Sequence, residues 1–144
     1  MVPKIRVLFS LAGEHDKEVD LAEITKKIGI APTKTRTSDD WPDSIKDQIG
    51  LPDELKPHYT WQLDIGYSKN RLVRDRFALM KDLLIGKIET INELKKKYSL
   101  RASFTVGIHA QHDQHNLPEL FLSQETIEFL ASIGADIGFD MYLD

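Results

Sequence analysis

The sequence predicts an α+β protein in which a mostly antiparallel sheet of four or five strands carries three helices on one face. Four segments alternate apolar and polar residues, as half-buried strands do, and three others repeat apolar residues at helical spacing. The elements follow one another in the order β-α-β-α-β-α-β. Because each strand is apolar on one side only, we expect the helices to cover that side alone.

The first strand and the first helix have clear local signals. Residues 4–12 alternate between apolar and more polar side chains, which predicts a strand. Asp20 is a favoured N-cap residue, and Glu23 three positions later completes the pattern of a capping box. Gly29 favours the end of this helix. The residues predicted to face the core are Ile5, Val7, Phe9, Leu11, Leu21, Ile24 and Ile28.

The segment 31–58 is predicted to be an irregular loop, because it contains four prolines and many charged residues. Within it, residues 33–37 are a candidate edge strand and residues 43–49 a candidate short helix. A connection of this length is either functional or poorly ordered. The next strand is predicted over 59–67. Its inward residues are expected to be Tyr59, Trp61, Leu63, Ile65 and Tyr67.

The longest predicted element is an amphipathic helix from Leu72 to Tyr98. Its apolar stripe consists of Val73, Phe77, Met80, Leu84, Ile88, Ile91 and Tyr98. At about 1.5 Å per residue this helix would be roughly 40 Å long, whereas an eight-residue strand spans about 27 Å. We therefore expect the helix to cross the sheet diagonally, to bend near Gly86, or to overhang the sheet and meet a second subunit.

The last third of the chain predicts a strand, a helix and a closing strand. The strand covers 100–110, the helix begins at Ser123 and stops at Gly134, and the final strand covers 136–143. The residues expected to form the apolar faces are Ala102, Phe104, Val106 and Ile108, then Ile127, Leu130 and Ile133, then Ile137, Phe139, Met141 and Leu143.

The composition is that of an ordinary globular protein, with one domain spanning 1–144. The chain contains no cysteine, which excludes disulfides, thiolate metal sites and cysteine nucleophiles. Its net charge of −4 disfavours a nucleic-acid partner, and Lys69, Arg71, Arg74 and Arg76 are interpreted as a solvated helix face.

No apolar run reaches the ~20 residues of a membrane span and no signal peptide is recognised, so we expect a cytoplasmic location and no membrane partner.

One group of residues has the composition of a metal site. His109, His112, Asp113 and His115 offer imidazole and carboxylate ligands of the kind that bind zinc and similar ions. The pair His15–Asp16 is a candidate to join them. Because the spacing matches no established zinc motif, the alternative is a solvated polar loop. A divalent metal is the only cofactor that the sequence suggests.

The polar side of the predicted sheet is a second candidate site. The side chains expected there are Arg6, Ser10, Gln62, Asp64, Arg101, Ser103, Thr105, His109, Asp136 and Asp140. The candidates for contact with a ligand or a partner are Arg6, Gln62, Asp64, Arg101, Thr105, His109 and Asp140. Such a surface binds a polar ligand or a protein, or it faces water as most antiparallel sheets do. Asp64 and Asp140 are also a candidate pair for acid–base catalysis.

Several phrases of the sequence resemble one family. They are DLAEITKKIGIAPTKT after the first strand, TWQLDIGY in the second, LPELFLSQETIEFLASIGADI in the last third, and the closing FDMYLD. Through them nearly the whole chain resembles the bacterial family catalogued as domain of unknown function 4279, with the loop 39–58 the least similar part. The resemblance implies a small, stand-alone bacterial cytosolic domain and supplies no catalytic residues. Families of this kind are sometimes immunity proteins that neutralise a toxin, and that role is an analogy.

Two functional hypotheses follow. The first is a non-enzymatic protein-binding module, comparable to an immunity protein, in which the acidic chain and its polar sheet engage another protein such as a basic toxin or nuclease domain. The second is a metal-dependent enzyme or metal-binding protein that uses the segment His109–His115. Self-association through the sheet face is a third, purely structural hypothesis.

Overall fold

The structure, a computed structural model, describes residues 2–14, 17–37, 58–111 and 118–143. Its elements, in chain order, are β1 (Lys4–Gly13), α1 (Leu21–Ile28), β2 (Lys34–Arg36), β3 (Tyr59–Asp64), β4 (Ser68–Lys69), α2 (Val73–Leu84), a 3₁₀ turn (Ile85–Lys87), α3 (Ile88–Tyr98), β5 (Arg101–Ala110), α4 (Gln124–Ser132) and β6 (Ala135–Leu143). The predicted short helix at 43–49 lies outside the described residues.

Six strands form one open sheet in the order β2-β3-β1-β5-β6, and the short β4 also pairs with β1. All paired strands are antiparallel except β5 and β6, which run parallel. This arrangement confirms the α+β class and the mostly antiparallel sheet. Six strands exceed the predicted four or five for two reasons. The candidate edge strand at 33–37 forms as β2, and β4 is separated from the strand predicted over 59–67.

The core lies between the sheet and its helices and is centred on aromatic side chains. The ring centroid of Phe104 in β5 lies 5.1 Å from that of Phe77 in α2 and 6.0 Å from that of Phe129 in α4. On β3, Trp61 donates its Nε1–H to Oγ1 of Thr25 in α1 at 3.0 Å. Helices α1, α2 and α4 therefore contact the same side of the sheet, as predicted. We call this side the inner face and the opposite side the outer face.

The helix predicted over 72–98 is interrupted near its middle. α2 ends at Leu84, the 3₁₀ turn Ile85–Lys87 follows, and α3 begins at Ile88. The turn contains Gly86, and glycine is a weak helix former. The interruption therefore lies near Gly86, where a bend was expected as one of three alternatives. The apolar stripe is confirmed by the burial of Val73, Phe77, Met80, Leu84, Ile91 and Tyr98, with Ile88 half-buried.

Helix α1 has the predicted caps, but the Glu23 carboxylate has a different role. Asp20 Oδ1 accepts a hydrogen bond from the Glu23 backbone N–H at 3.2 Å, and Gly29 ends the helix with a φ of 77°. The Glu23 carboxylate accepts hydrogen bonds from Lys97 Nζ and Tyr98 Oη of α3. The bond from Lys97, followed by the bond from Tyr98, lowers the pKa of Glu23. The same contact raises the pKa of Lys97, and it ties α1 to α3.

The buried face of α4 differs from the prediction. Ile127, which was predicted to face inward, is 53% exposed, whereas Thr126 and Phe129 are buried. Thr126 can occupy a buried position because its Oγ1 accepts a hydrogen bond from Ser123 Oγ at 3.1 Å. Leu130 is buried, as predicted.

The closing strand β6 is covered by the core along its first part only. Ala135 and Ile137 pack against the core, but Phe139, Met141 and Leu143 on the same face are exposed. The predicted alternation is therefore present, but three of the four predicted apolar side chains have no helix over them among the described residues.

Candidate functional site

The residues predicted to form a ligand or partner surface lie on the outer face of the sheet. Arg6, Gln62, Asp64, Thr105 and His109 are half-buried, and Arg101 and Asp140 are exposed. Because the helices pack on the inner face, the outer face carries no helix in the described part of the chain. The side chains on it are therefore open to contact with another molecule.

One end of this face is organised by an ion pair. Arg6 Nε of β1 lies 3.2 Å from Asp64 Oδ2 of β3, and both side chains are partly buried. The Arg6 guanidinium also lies over the ring of Tyr67, 5.5 Å from its centroid. Asp64 therefore holds the guanidinium in place, and Arg6 supports the tyrosine ring by a cation–π contact.

The row of contacts that begins with Asp64, Arg6 and Tyr67 continues through two pairs of aromatic rings. The ring centroids of Tyr67 and His109 are 5.0 Å apart with an interplanar angle of 76°, an edge-to-face contact. His109 stacks on Tyr142 of β6 with centroids 4.8 Å apart and an angle of 18°. Asp64, Arg6, Tyr67, His109 and Tyr142 thus form one continuous row across the sheet, which we call the outer-face strip.

The position of Tyr67 differs from the prediction, which placed it on the inner side with Tyr59 and Trp61. The pairing with β1 joins Leu8 to Asp64 but Ile5 to Ser68. The segment from β3 to β4 therefore contains one residue more between these two pairs than β1 does. Such a bulge moves the following side chains to the opposite face.

The bulge is stabilised from both faces of the sheet. Gly66 adopts a φ of 78°, and its N–H donates to Asp64 Oδ1 at 2.8 Å. From the helix side, Arg76 donates its NH2 hydrogen to the carbonyl of Gly66 at 2.9 Å. Arg76 was predicted to lie on a solvated helix face. The structure shows that it is half-buried, so this prediction was wrong for Arg76. The sequence signal for the bulge was the Asp-x-Gly pattern at 64–66, which favours a local turn.

The strip also explains the glycine at position 107. A Cβ atom there would lie 2.9 Å from the Tyr67 hydroxyl oxygen and 3.5 Å from its Cζ. Only a residue without a side chain lets the Tyr67 ring lie directly over β5. Gly107 and Tyr142 were not among the predicted site residues, since their roles depend on the bulge and on the parallel pairing of His109 with Tyr142.

Gln62 lies in a separate shallow depression at the β2 end of the outer face. Its volume is about 130 Å³, well below the roughly 300–1,000 Å³ of a typical small-molecule pocket. The residues that line it are Ser10, Lys34, Thr35, Arg36, His58, Thr60 and Gln62. The depression therefore has room for a few water molecules or a small ion, and not for a drug-sized ligand.

The remaining predicted residues lie apart from the strip or at its margin. Arg101 lies 3.7 Å from Asp136 in a pair that is mostly exposed, so this ion pair adds little stability. Asp64 and Asp140 lie on β3 and β6, which are separated by β1 and β5. Three strand spacings of about 4.8 Å, together with the two-residue offset of Asp140 from Gly138, which aligns with Asp64, place their Cα atoms roughly 16 Å apart. This exceeds the ~5–9.5 Å of paired catalytic carboxylates and disfavours that hypothesis.

The metal hypothesis concerns residues of which only one is described. His109 lies between Tyr67 and Tyr142, whereas His112, Asp113 and His115, as well as the pair His15–Asp16, lie outside the described residues. Among the residues that the structure does describe, no group of three or more metal-ligating side chains is present. A metal site at the His109–His115 segment stays a prediction.

The fold and the site define a small α+β protein with a mixed, open sheet and an aromatic strip on its outer face. The chain belongs to the family described as Domain of unknown function (DUF4279), whose model matches residues 3–144, and this confirms the resemblance seen in the sequence. No curated protein and no solved structure matches the chain. Within the described ranges, no helix combines the length and the apolar character that crossing a membrane requires.

Proposed function

We propose that this protein is a non-enzymatic protein-binding module that uses the outer-face strip as its contact surface. The observation that carries the proposal is the continuous contact from Arg6 through Tyr67 and His109 to Tyr142. Tyrosine and arginine are the residue types enriched at the energetic centres of protein interfaces. Tyr67 is 40% exposed and Tyr142 is 50% exposed, so both rings are available to a partner.

The side chains of the outer-face strip are also held in place by contacts within the protein itself, independently of a partner. Asp64 holds Arg6, the absence of a side chain at Gly107 seats Tyr67, and His109 stacks on Tyr142. A side chain that is already held in one conformation loses less entropy on binding. The shallow outer face suits a protein surface better than a small substrate, because the depression near Gln62 is small.

The charge of the chain favours a basic partner. The net charge is −4, and opposite net charges speed the association of two proteins. A toxin or nuclease domain met in the cytoplasm, as for an immunity protein, is the partner class we propose.

The test begins with capture of a partner on the immobilised protein, its identification by mass spectrometry, and calorimetric titration of the purified pair. Loss of an interface hot spot costs about 2 kcal/mol or more, which is a factor of roughly 30 in Kd. We expect Tyr142→Ala to weaken binding by that factor. The matched control is Leu79→Ala, because Leu79 is also 50% exposed but lies on α2, on the other side of the sheet.

Two results would contradict the proposal. One is a partner whose affinity is unchanged in Tyr142→Ala and in the double variant with Tyr67→Ala, but falls in Leu79→Ala. The other is catalytic turnover of the captured molecule by the wild-type protein.

A further inference from the structure

The free edge of β6 lacks most of the usual protection of an edge strand. β6 is nine residues long and pairs without a bulge along its whole length with β5, and its other edge has no neighbour among the described residues. Natural edge strands are usually short, bulged, or protected by proline or charged side chains, especially lysine. β6 contains no proline or lysine, and its only charged residues are Asp136 and Asp140 on the outer face. Its unpaired backbone groups are therefore available to a further strand.

The side chains beside this edge are apolar on the inner face. Phe139 is 40% exposed, Met141 41% and Leu143 50%, and they follow one another at every second position. Isolated exposed apolar residues are common, but a row of them along an unpaired strand marks a contact surface. A strand added to β6 would cover this row and pair the backbone at the same time.

We propose that β6 pairs antiparallel with β6 of a second copy of this chain, about a two-fold axis that passes at Phe139. The two sheets then join into one continuous sheet. A two-fold axis brings the same surface of both copies together, which requires that surface to be complementary to itself.

The sequence of β6 favours the register in which the two-fold axis passes at Phe139. Centred on Phe139, the pairing uses all nine residues and places Ala135 opposite Leu143 and Ile137 opposite Met141. Residues directly opposite each other share a face, so the inner-face row meets the same row of the second copy.

The outer-face residues exclude the neighbouring registers. With the axis at Phe139, Asp136 lies opposite Tyr142 and Asp140 opposite Gly138. Moving the axis to Gly138 places Asp136 opposite Asp140, and moving it to Asp140 places two copies of that residue opposite each other. Like charges directly opposite are destabilising, so both shifted registers are disfavoured.

The contact is large enough for a specific dimer. Phe139, at 40% exposure, offers on the order of 60–100 Å² on the inner face. With Met141, Leu143 and the backbone added, and the whole doubled by symmetry, the buried area reaches the order of 1,000 Å². Nine paired residues also form roughly eight to ten backbone hydrogen bonds, as many as a typical interface has.

A charge pair at Gly138 tests the register without touching the core. A Cβ at Gly138 meets no atom within 4 Å, so substitutions there are tolerated. Gly138→Asp sets a carboxylate opposite Asp140 of the second copy twice per dimer, and we expect the dimer Kd from analytical ultracentrifugation to rise at least tenfold. Gly138→Lys is the matched control and should bind at least as tightly as the wild type. Neither variant alters the outer-face strip, so the dimer is tested separately from partner binding.

A single cysteine tests the axis itself, because the chain has no cysteine of its own. In this register residue 139 lies opposite its own copy at about 4.5–5.5 Å between Cα atoms, within disulfide reach. Phe139→Cys should therefore give a disulfide-linked dimer with diamide. Met141→Cys should not, because its two copies are about 14 Å apart.

The wild type is expected to show a mass near twice 16.5 kDa at high micromolar concentration. A mass of 16.5 kDa at every concentration, equal dimerisation of Gly138→Asp and Gly138→Lys, or cross-linking of Met141→Cys in preference to Phe139→Cys would each overturn the proposal.

Discussion

The centre of the sheet and its β6 edge carry the same apolar alternation but differ in how far it is covered. Every inner residue of β1 is buried (Ile5, Val7, Phe9 and Leu11), whereas β6 is bare beyond Ile137. Position in the sheet explains the difference. β1 is a central strand beneath α2, whereas β6 is an edge strand on which α4 packs, and the nine-residue α4 is about 13 Å long against about 30 Å for β6. Alternation therefore predicts which face of a strand is apolar, but not whether a helix reaches it.

The largest expected effect comes from truncating an aromatic side chain at the centre and at the edge. Phe104→Ala removes a ring that contacts both Phe77 and Phe129 and should cost about 3–5 kcal/mol of unfolding free energy. Phe139→Ala removes a partly exposed ring and should cost roughly 1 kcal/mol. Urea denaturation at a concentration where the protein is monomeric measures both. Equal losses would show that the β6 edge is covered after all.

A smaller effect is expected from adding one methyl group to each region. Gly107→Ala forces the Tyr67 hydroxyl to move, because the new Cβ would lie 2.9 Å from it, and should cost about 1 kcal/mol. Gly138→Ala meets no neighbouring atom and should leave stability unchanged or slightly raised. Chemical denaturation measures the stability, and the Tyr67 ring-current shift on the His109 proton resonances reports the ring. An unmoved Tyr67 ring in Gly107→Ala would contradict the described strip.

A pH-dependent effect is expected where α1 meets α3. Hydrogen bonds from Lys97 and Tyr98 lower the pKa of Glu23 in the folded protein. A lowered pKa adds stability above the unfolded-state value of about 4.3, and this stability is lost as the pH falls through the folded-state pKa. Glu23→Gln should therefore lower the urea midpoint at pH 7 and match the wild type at acid pH. The control is Glu93→Gln, because Glu93 is an exposed residue of α3. It should leave the urea midpoint unchanged both at pH 7 and at acid pH. A difference that persists unchanged in acid would contradict the assignment.

No effect is expected from divalent metals if the protein is a binding module. Calorimetric titration with zinc, nickel and manganese should show no uptake tighter than micromolar and no change in Tm. Metal binding tighter than micromolar that disappears in His112→Ala would instead support the metal hypothesis at the segment His109–His115.

The parts of the fold that local sequence determines were predicted well. The cap residues Asp20 and Gly29 and the helical stripe depend on neighbouring residues, and the structure contains them. The interruption at Gly86 was one of the expected outcomes because it follows from helix length and from glycine.

The parts that depend on distant pairing were not predicted. Tyr67 moves to the outer face because of one extra residue in the pairing with β1, and Tyr142 reaches His109 only because β6 runs parallel to β5. Ile127 was predicted to face the core but is exposed, and the neighbouring Thr126 is buried with its hydroxyl hydrogen-bonded to Ser123. The five strip residues come from four different strands and the connection between β3 and β4, so the strip exists only in the folded chain.

The proposed function is tested most directly by hydroxyl-radical footprinting of the protein alone and in complex with its captured partner. Tyr67 and Tyr142 should be oxidised readily in the free protein and protected in the complex, while the buried Tyr98 reacts slowly in both. Tyrosines of the strip that stay equally reactive in the complex, with protection confined to the helices, would show that the outer face is not the binding surface.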